Sequence, residues 1–205
     1  MLVGIDFDNT IVCYGALFHR AAVTKGWIPP ETPADKEQVR NVFRRQGQED
    51  RWTLLQGQVY GELIREAPPF PGVLGFLDEC CHRGIAVCIV SHKTRLPIRG
   101  PAVDLHQAAF DWLKGHRIHT ADGNGLPLSG IYFEETKQRK LQRIAEVGCE
   151  CFIDDLPEFL AEPDFPPNVQ RILFDPHRRH QDDSAFVRAD SWTAIQALIQ
   201  SRLPS

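Results

Sequence analysis

The fold is decided at the start of the chain, by the stretch Met1-Leu-Val-Gly-Ile-Asp6-Phe-Asp8-Asn-Thr10-Ile-Val12. Residues 2–5 form a near-continuous apolar run, which is typical of a strand buried on both faces of a parallel sheet. Successive strand side chains point to opposite faces, so Asp6 and Asp8 should share a face if the strand geometry continues. Two carboxylates this close repel each other unless a cation such as Mg²⁺ lies between them. A strand end whose carboxylates cap the next turn is the plain alternative.

From residue 68 onward, the sequence alternates between amphipathic and continuously apolar segments. Strands are predicted at 85–90, 129–133, 149–153 and 169–174, and helices at 73–82, 104–116, 136–147 and after Ser191. Thr136 and Ser191 are the predicted N-caps of their helices, and a tight turn is predicted at 122–125. Strands that alternate with helices in this way predict an α/β fold built on a parallel sheet.

Residues 14–67 have a different pattern, polar and helical, with no obvious strand. Amphipathic helices are predicted over 16–25, 35–46 and 50–66, with prolines breaking the chain near residue 30. We interpret this stretch as a small helical insertion, and a plain helical part of the core is the alternative.

The composition limits the number of domains and the classes of partner that we expect. A chain of 205 residues that is 42% hydrophobic fits one sizeable domain, or one domain with an inserted subdomain. The net charge of −4 gives no general reason to expect nucleic acid or an anionic membrane as a partner. No apolar run is long enough to span a membrane, and Asp6 and Asp8 interrupt any signal segment, so a cytoplasmic location is expected.

The six cysteines do not form the pattern of a disulfide framework. Cys149 and Cys151 could supply half of a metal site, but no matching His/Cys pair is evident, and zinc is not expected. Buried free thiols are the favoured interpretation.

Other polar candidates stand where the predicted strands end. Ser91 ends one strand, and Asp154 and Asp155 close another. Because the carboxyl ends of parallel strands meet at one edge of a sheet, these side chains can converge with Asp6. For Asp154 and Asp155, acids at a helix N-terminus that Pro157 opens are an alternative that can hold at the same time.

Taken in chain order, Asp6-x-Asp8-x-Thr10, Ser91, a helix-start lysine and Asp154-Asp155 resemble the four motifs of the haloacid dehalogenase (HAD) superfamily, in its phosphatase type. The resemblance covers 1–13 and 68–205 and implies a Rossmann-like core of parallel sheet flanked by helices. It also implies that 14–67 form a small α-helical cap inserted between the first and second motifs.

The resemblance further implies how the residues act. Asp6 would be the nucleophile, Asp8 the general acid/base, and Ser91 a ligand of the phosphoryl group. The lysine of the third motif is Lys140 or Lys137, which periodicity does not separate, and we favour Lys140; at least one of the two must be a solvated surface lysine. Mg²⁺ would be bound by the acidic residues of the first and fourth motifs, with Asp154 preferred to Asp155 as the direct ligand: Asp6, Asp8, Asp154 and Asp155.

The implied activity is Mg²⁺-dependent hydrolysis of a small phosphorylated metabolite, a sugar phosphate or a nucleotide, through an aspartyl-phosphate. A phosphotransferase or mutase of the same superfamily and a non-catalytic α/β regulatory module are the alternatives. Candidate substrate-binding residues are the two that follow Asp8 and the basic loop after Ser91, which could equally be a solvated loop: Asn9, Thr10, His92, Lys93 and Arg95. Neither nucleic acid nor a membrane is expected as a partner, and the oligomeric state is left open.

Overall fold

The computed structural model describes residues 1–119 and 128–202, so the turn predicted at 122–125 lies outside the described residues. In the described part of the chain, six parallel strands form one sheet in the order β3-β2-β1-β4-β5-β6. The strands are β1 Leu2–Ile5, β2 Ala86–His92, β3 Leu128–Glu134, β4 Cys151–Asp154, β5 Gln170–Phe174 and β6 Val187–Ala189. The predicted parallel α/β sheet of Rossmann-like type is confirmed.

The sheet is organised around β1, the strand that opens the chain. Ile5 of β1 lies opposite Ile89 of β2 on one side and Ile153 of β4 on the other. The chain winds outward from β1 through β2 and β3, and then through β4, β5 and β6 in the other direction. In open α/β sheets, the crevice at such a reversal, outside the carboxyl ends of the strands, is where ligands bind.

Helices flank the sheet at close to the predicted positions. They are α1 Gly15–Thr24, α2 Lys36–Arg45, α3 Glu49–Tyr60, α4 Val73–His82, α5 Leu105–Gly115, α6 Lys137–Glu146, α7 Pro157–Leu160 and α8 Trp192–Gln200. Both predicted N-caps are present: the hydroxyl of Thr136 accepts the Arg139 N–H at 3.1 Å, and that of Ser191 accepts the Ala194 N–H at 3.2 Å. None of the described helices is long and apolar enough to cross a membrane.

The segment 14–67 contains α1, α2 and α3 followed by a short 3₁₀ turn at Ile64–Glu66, and it contains no strand, as predicted. The single helix predicted over 50–66 is wrong, because α3 ends at Tyr60 and Gly61 caps it. The backbone of Gly61 leaves helical geometry with φ −99° and ψ −96°, and a Cβ there would lie 2.8 Å from the Gly57 carbonyl oxygen.

One apolar core connects the helical segment with the sheet. Inside the segment, Phe18 stacks on Trp52 with ring centroids 4.9 Å apart. At the junction, the indole N–H of Trp112 in α5 donates to the Ala67 carbonyl oxygen at 2.8 Å. The segment is therefore packed against the sheet unit and held to it by a buried hydrogen bond.

The six cysteines are free thiols, as predicted; four are buried, whereas Cys13 is partly exposed and Cys81 is exposed. Cys88 and Cys149 bring their sulfur atoms to 3.8 Å from each other, near Gly4, where a Cβ would lie 2.6 Å from the Cys149 sulfur. Burial raises the pKa of the Cys151 thiol to about 12, so this thiol stays protonated at neutral pH.

Candidate active site

Asp6 is the centre of a buried hydrogen-bond network at the carboxyl edge of the sheet. Its backbone N–H donates to the Ile153 carbonyl oxygen at 2.9 Å, which continues the pairing of β1 with β4 by one residue. Its Oδ1 accepts the Ser91 hydroxyl at 2.9 Å and the Lys140 ammonium at 2.6 Å. Among the described residues, the remaining oxygen, Oδ2, accepts only a long hydrogen bond of 3.4 Å, from the Thr10 hydroxyl.

A tight loop turns the chain back directly after Asp6. The N–H groups of Ile11 and Val12 both donate to the Phe7 carbonyl oxygen, and the Asn9 N–H donates to the Val12 carbonyl oxygen. Asn9 has φ 62°, in the left-handed region that asparagine tolerates better than most other residues. The loop keeps both aspartates of the first motif at the sheet edge.

Lys140 links the first strand of the sheet to the fourth. It lies in α6, buried, with its Nζ 2.6 Å from Asp6 Oδ1 and 2.6 Å from Asp154 Oδ2. Burial opposes the charge of Lys140, but the carboxylates of Asp154 and Asp6 outweigh it and raise the pKa of Lys140 above its usual value. Lys137, the other candidate, is exposed at the start of the same helix. The structure thus brings Lys140 to the site.

The two aspartates that follow Ile153 have different surroundings. Asp154 is fully buried, and its Oδ1 accepts the Leu156 N–H at 2.9 Å while its Oδ2 bonds Lys140. Asp155 is partly exposed and lines the adjoining cavity. Burial raises the pKa of Asp154 to about 7, and burial together with the charge of Asp154 raises the pKa of Asp155 well above its usual value.

These carboxylates form a donor set suited to a hard divalent cation. Asp6, Asp154 and Asp155 can each place one oxygen so that all three lie within 4.8 Å of one another. Burial and mutual repulsion raise the pKa of Asp154 and of Asp155, and a bound cation would favour the ionised forms of both carboxyl groups. The residues present therefore fit Mg²⁺. Asp8, predicted as a fourth ligand, is not part of this cluster in the described residues.

Asp8 has its own partners, which the sequence did not reveal. Its Oδ1 accepts the Tyr14 hydroxyl at 2.7 Å, and its two oxygens lie 3.0 and 2.7 Å from the Lys93 ammonium. The Lys93 side chain is only 2% exposed, so this ion pair is shielded from water. Lys93, a predicted substrate-binding residue, therefore has Asp8 as its partner in the structure, and it also lines the adjoining cavity.

A cavity of about 310 Å³ opens over these residues. Of the predicted substrate-binding residues, Asn9, His92 and Lys93 line it. Thr10 is fully buried beneath Asp6, and Arg95 is exposed and paired with Asp104 at 2.9 Å, so neither reaches the cavity wall.

The opposite wall comes from the helical segment, through side chains that sequence patterns did not single out. They are Lys36 at the start of α2 and, from α3, Thr53, Gln56 and Tyr60. Burial opposes the charge of Lys36, but Tyr60 and Asp155 raise the pKa of its ammonium above the usual value. The Asp35 cap predicts where α2 begins, but nothing local predicts that its first residue faces the sheet edge.

No protein-family model matches the sequence, and no curated protein matches it. Solved structures do resemble it. A HAD-superfamily hydrolase from Ehrlichia chaffeensis superposes with a TM-score of 0.56 at 11% identity, covering 98% of this chain and 96% of that one. A Bacillus subtilis protein named as a HAD hydrolase and bound to magnesium gives 0.54 at 11% identity, with 97% of each chain covered. A predicted phosphoglycolate phosphatase from Haemophilus somnus gives 0.54 at 13% identity, also with 97% of each covered.

At identities this low, the similarity establishes the fold, over nearly the full length of the chain and of its neighbours. It agrees with the parallel sheet centred on β1, which the opening stretch predicts. The chain has the fold of the haloacid dehalogenase superfamily of hydrolases.

Proposed function

We propose that this protein is a Mg²⁺-dependent phosphomonoester hydrolase that works through an aspartyl-phosphate on Asp6. One observation carries the proposal: a single oxygen of Asp6 receives both Ser91 and Lys140, directly beside two further carboxylates. A carboxylate that only capped a turn would need neither a buried lysine nor a second acidic pair. The arrangement suits a group that receives a phosphoryl group, whose negative charge requires cationic and hydroxyl partners.

The chemistry follows from where the side chains lie. A carboxylate oxygen of Asp6 attacks phosphorus, the new P–O bond forms, and the bond to the leaving oxygen breaks. Ser91 and Lys140 stabilise the charge on the phosphoryl oxygens during this transfer. Asp8 donates a proton to the leaving alkoxide and then removes one from the water that attacks the aspartyl-phosphate. Inorganic phosphate and free Asp6 result.

The metal requirement rests on the acidic cluster. Asp6, Asp154 and Asp155 would hold Mg²⁺, which would neutralise part of the negative charge of the substrate phosphate. Asp155 is the member of the fourth-motif pair that faces the cavity. Asp154 lies beside it, with its oxygens engaged by Lys140 and the Leu156 N–H. We assign a direct contact with Mg²⁺ to both residues.

Lys93 and Tyr14 position the proposed acid/base. Both bond the Asp8 carboxyl group, which fixes its orientation toward the cavity beside Asp6. The residues 14–67 act in this proposal as the helical cap, since α2 and α3 supply the wall opposite the sheet edge.

The proposal is tested by hydrolysis of p-nitrophenyl phosphate, followed with and without EDTA. Wild-type activity should disappear with EDTA and return with Mg²⁺, and Asp6→Asn should lower the rate by roughly a thousandfold or more. Asp78→Asn, an exposed carboxylate on α4, is the matched control and should keep the wild-type rate. A wild-type rate in Asp6→Asn would reject the nucleophile, and activity indifferent to EDTA would reject the metal.

Because the cavity can exclude this generic ester, a panel of phosphorylated metabolites is assayed in parallel. Release of inorganic phosphate identifies a hydrolase, whereas phosphate recovered on an added sugar or nucleoside identifies a phosphotransferase. Absence of both with every compound would favour the non-catalytic regulatory module.

A further inference from the structure

A second cavity, of about 470 Å³, adjoins the catalytic one. Asn9, Lys36 and Asp155 line both cavities, so the two meet beside the proposed phosphoryl site. A ligand that extended from one cavity into the other would have its reacting end at the sheet edge and its other end in the second cavity.

Helix α2 forms one wall of this second cavity and presents cations to it at a regular interval. Lys36, Arg40 and Arg44 are spaced by four residues, so they lie on the same face of the helix, and all three line the cavity. With a rise of 1.5 Å per residue, their Cα atoms stand about 6 Å apart along the axis. The row begins at the catalytic cavity and leads away from it.

Arg44 lies 3.8 Å from Glu49, whereas no ion pair in the described part of the chain involves Lys36 or Arg40. The Nε of Arg40 is buried without a hydrogen-bond partner. Its guanidinium carbon lies 5.9 Å from the Trp52 ring centroid. Arg40 lines the second cavity, so an anion bound there would supply the charged partner that its guanidinium lacks.

The acidic side chains of the same walls do not fill this role. Asp35 and Glu37 both pair with Arg179, at 2.7 and 3.0 Å. Asp175 accepts two backbone N–H groups, and Glu158 is exposed at the start of α7. Asp155, which also lines this cavity, acts on Lys36 and forms no ion pair with Arg40 in the described residues. The positive charge of Arg40 is therefore available to a ligand in the second cavity.

Resting on the proposed function, we infer that the substrate is a phosphomonoester whose leaving group carries a second anionic group, a phosphate or a carboxylate. Lys36 and Arg40 bind that second group while the reacting phosphate lies at Asp6. The two positions lie in adjoining cavities, and the second anionic group supplies the partner that the Arg40 guanidinium lacks. A phosphomonoester with an uncharged leaving group leaves Arg40 without that partner.

Three matched substrates test this inference: butanediol bisphosphate, butanediol monophosphate and phosphorylated hydroxybutyrate, which carries a carboxylate in place of the second phosphate. Wild-type kcat/KM should be roughly tenfold or more higher for a doubly anionic compound than for the monophosphate, the size expected for a charged hydrogen bond. Whichever of the two is preferred identifies the second group as phosphate or carboxylate.

Arg40→Met should lower kcat/KM for the preferred doubly anionic compound by roughly tenfold or more, and so abolish its advantage over the monophosphate. Methionine keeps an apolar stem against Trp52, so the helix should remain packed. Arg45→Met is the control, because Arg45 is exposed on the same helix and does not line this cavity. It should keep the wild-type preference. An unchanged preference in Arg40→Met, or an equal loss for all three compounds, would overturn the inference.

A binding measurement separates this inference from the proposed function. In the Asp6→Asn background, the preferred doubly anionic compound should raise the melting temperature, and adding Arg40→Met should remove that rise. If binding depends on Arg40 but the wild type hydrolyses none of the compounds, the anion-binding site stands and the proposed phosphatase function is rejected. If the wild type hydrolyses the compounds but neither preference nor binding depends on Arg40, the proposed phosphatase function stands and the anion-binding site is rejected.

Discussion

Two walls enclose the catalytic cavity, and they are built in different ways. The sheet wall is buried and internally bonded: Asp6, Ser91, Lys140 and Asp154 satisfy one another's polar groups. The helical wall, from residues 14–67, presents partly exposed polar side chains and a helix whose Arg40 has a buried nitrogen without an acceptor. In the proposed function, the first wall performs the chemistry common to many substrates, and the second decides which substrate fits.

The difference has an energetic consequence. Removing one member of the sheet network leaves buried charges unpaired, which is costly even before substrate binds. The stability of the helical wall depends instead on how closely it packs against the sheet unit. Variants in the two walls should therefore differ in the size of their effect on stability, and the following three comparisons are arranged from the largest effect to the smallest.

Lys140→Met should lower the free energy of unfolding by about 3–5 kcal/mol, because it leaves the carboxylates of Asp6 and Asp154 buried without their shared cation. Lys137→Met, three residues earlier on the same helix and exposed, should change it by about 0.5 kcal/mol or less. Urea unfolding in EDTA, followed by circular dichroism, measures both. Equal effects of the two substitutions would mean that Lys140 does not hold the sheet network together.

Gly57→Ala tests how closely the helical wall is packed. Gly57 is buried in α3, and a Cβ there would clash with the Arg99 backbone carbonyl oxygen and lie 2.9 Å from Pro97. We expect a loss of about 1–3 kcal/mol. In Gly75→Ala, on α4, a Cβ meets nothing within 4 Å, so the better helix former should add about 0.5–1 kcal/mol. Thermal unfolding compares the two, and a stabilised Gly57→Ala would show that this contact can open.

The smallest effect is expected at the ion pair between α2 and the loop after β5. Arg179 lies 2.7 Å from Asp35. Burial opposes the ionisation of Asp35, but hydrogen bonds from Arg179 and the Gln38 N–H outweigh it and lower the pKa of Asp35. A carboxyl group whose pKa is lower in the folded state stabilises the fold at pH values above its unfolded-state pKa, which is about 3.9 for aspartate. This stabilisation is lost as the pH falls through the folded-state pKa.

Arg179→Met should accordingly cost about 1 kcal/mol or less at pH 7, and the cost should shrink as the pH falls below about 4. Urea unfolding at several pH values measures it, with the exposed Arg45→Met as a control that should show no such trend. A cost that stayed constant down to pH 3 would show that the Asp35 carboxylate is not what Arg179 stabilises.

The sheet wall could be predicted from sequence because strand ends meet at one edge whatever lies between them. Asp6, Ser91 and Asp154 each follow a recognisable apolar strand, so their convergence required only the topology. Periodicity did not separate Lys137 from the favoured Lys140, because both stand in the first turn of the same helix and only the direction of the helix relative to Asp6 distinguishes them.

The helical wall could not be predicted in the same way. The pattern of apolar residues locates α2 and α3, but it does not say which polar residue faces another part of the chain, so Lys36 and the bond between Tyr14 and Asp8 were missed. The break at Gly61 and the strand β6 were missed for local reasons. A glycine alone does not end a helix pattern, and three residues are too few to show a strand period.

The central claim is that Asp6 itself receives the phosphoryl group before water does, and the stereochemistry at phosphorus tests it most directly. Each in-line displacement inverts the configuration, so transfer to Asp6 followed by hydrolysis inverts it twice. With a phosphomonoester made chiral at phosphorus by oxygen isotopes, and product phosphate analysed by mass and magnetic resonance, the account predicts net retention. Net inversion would mean that water attacks the substrate directly, and it would contradict the nucleophilic role of Asp6.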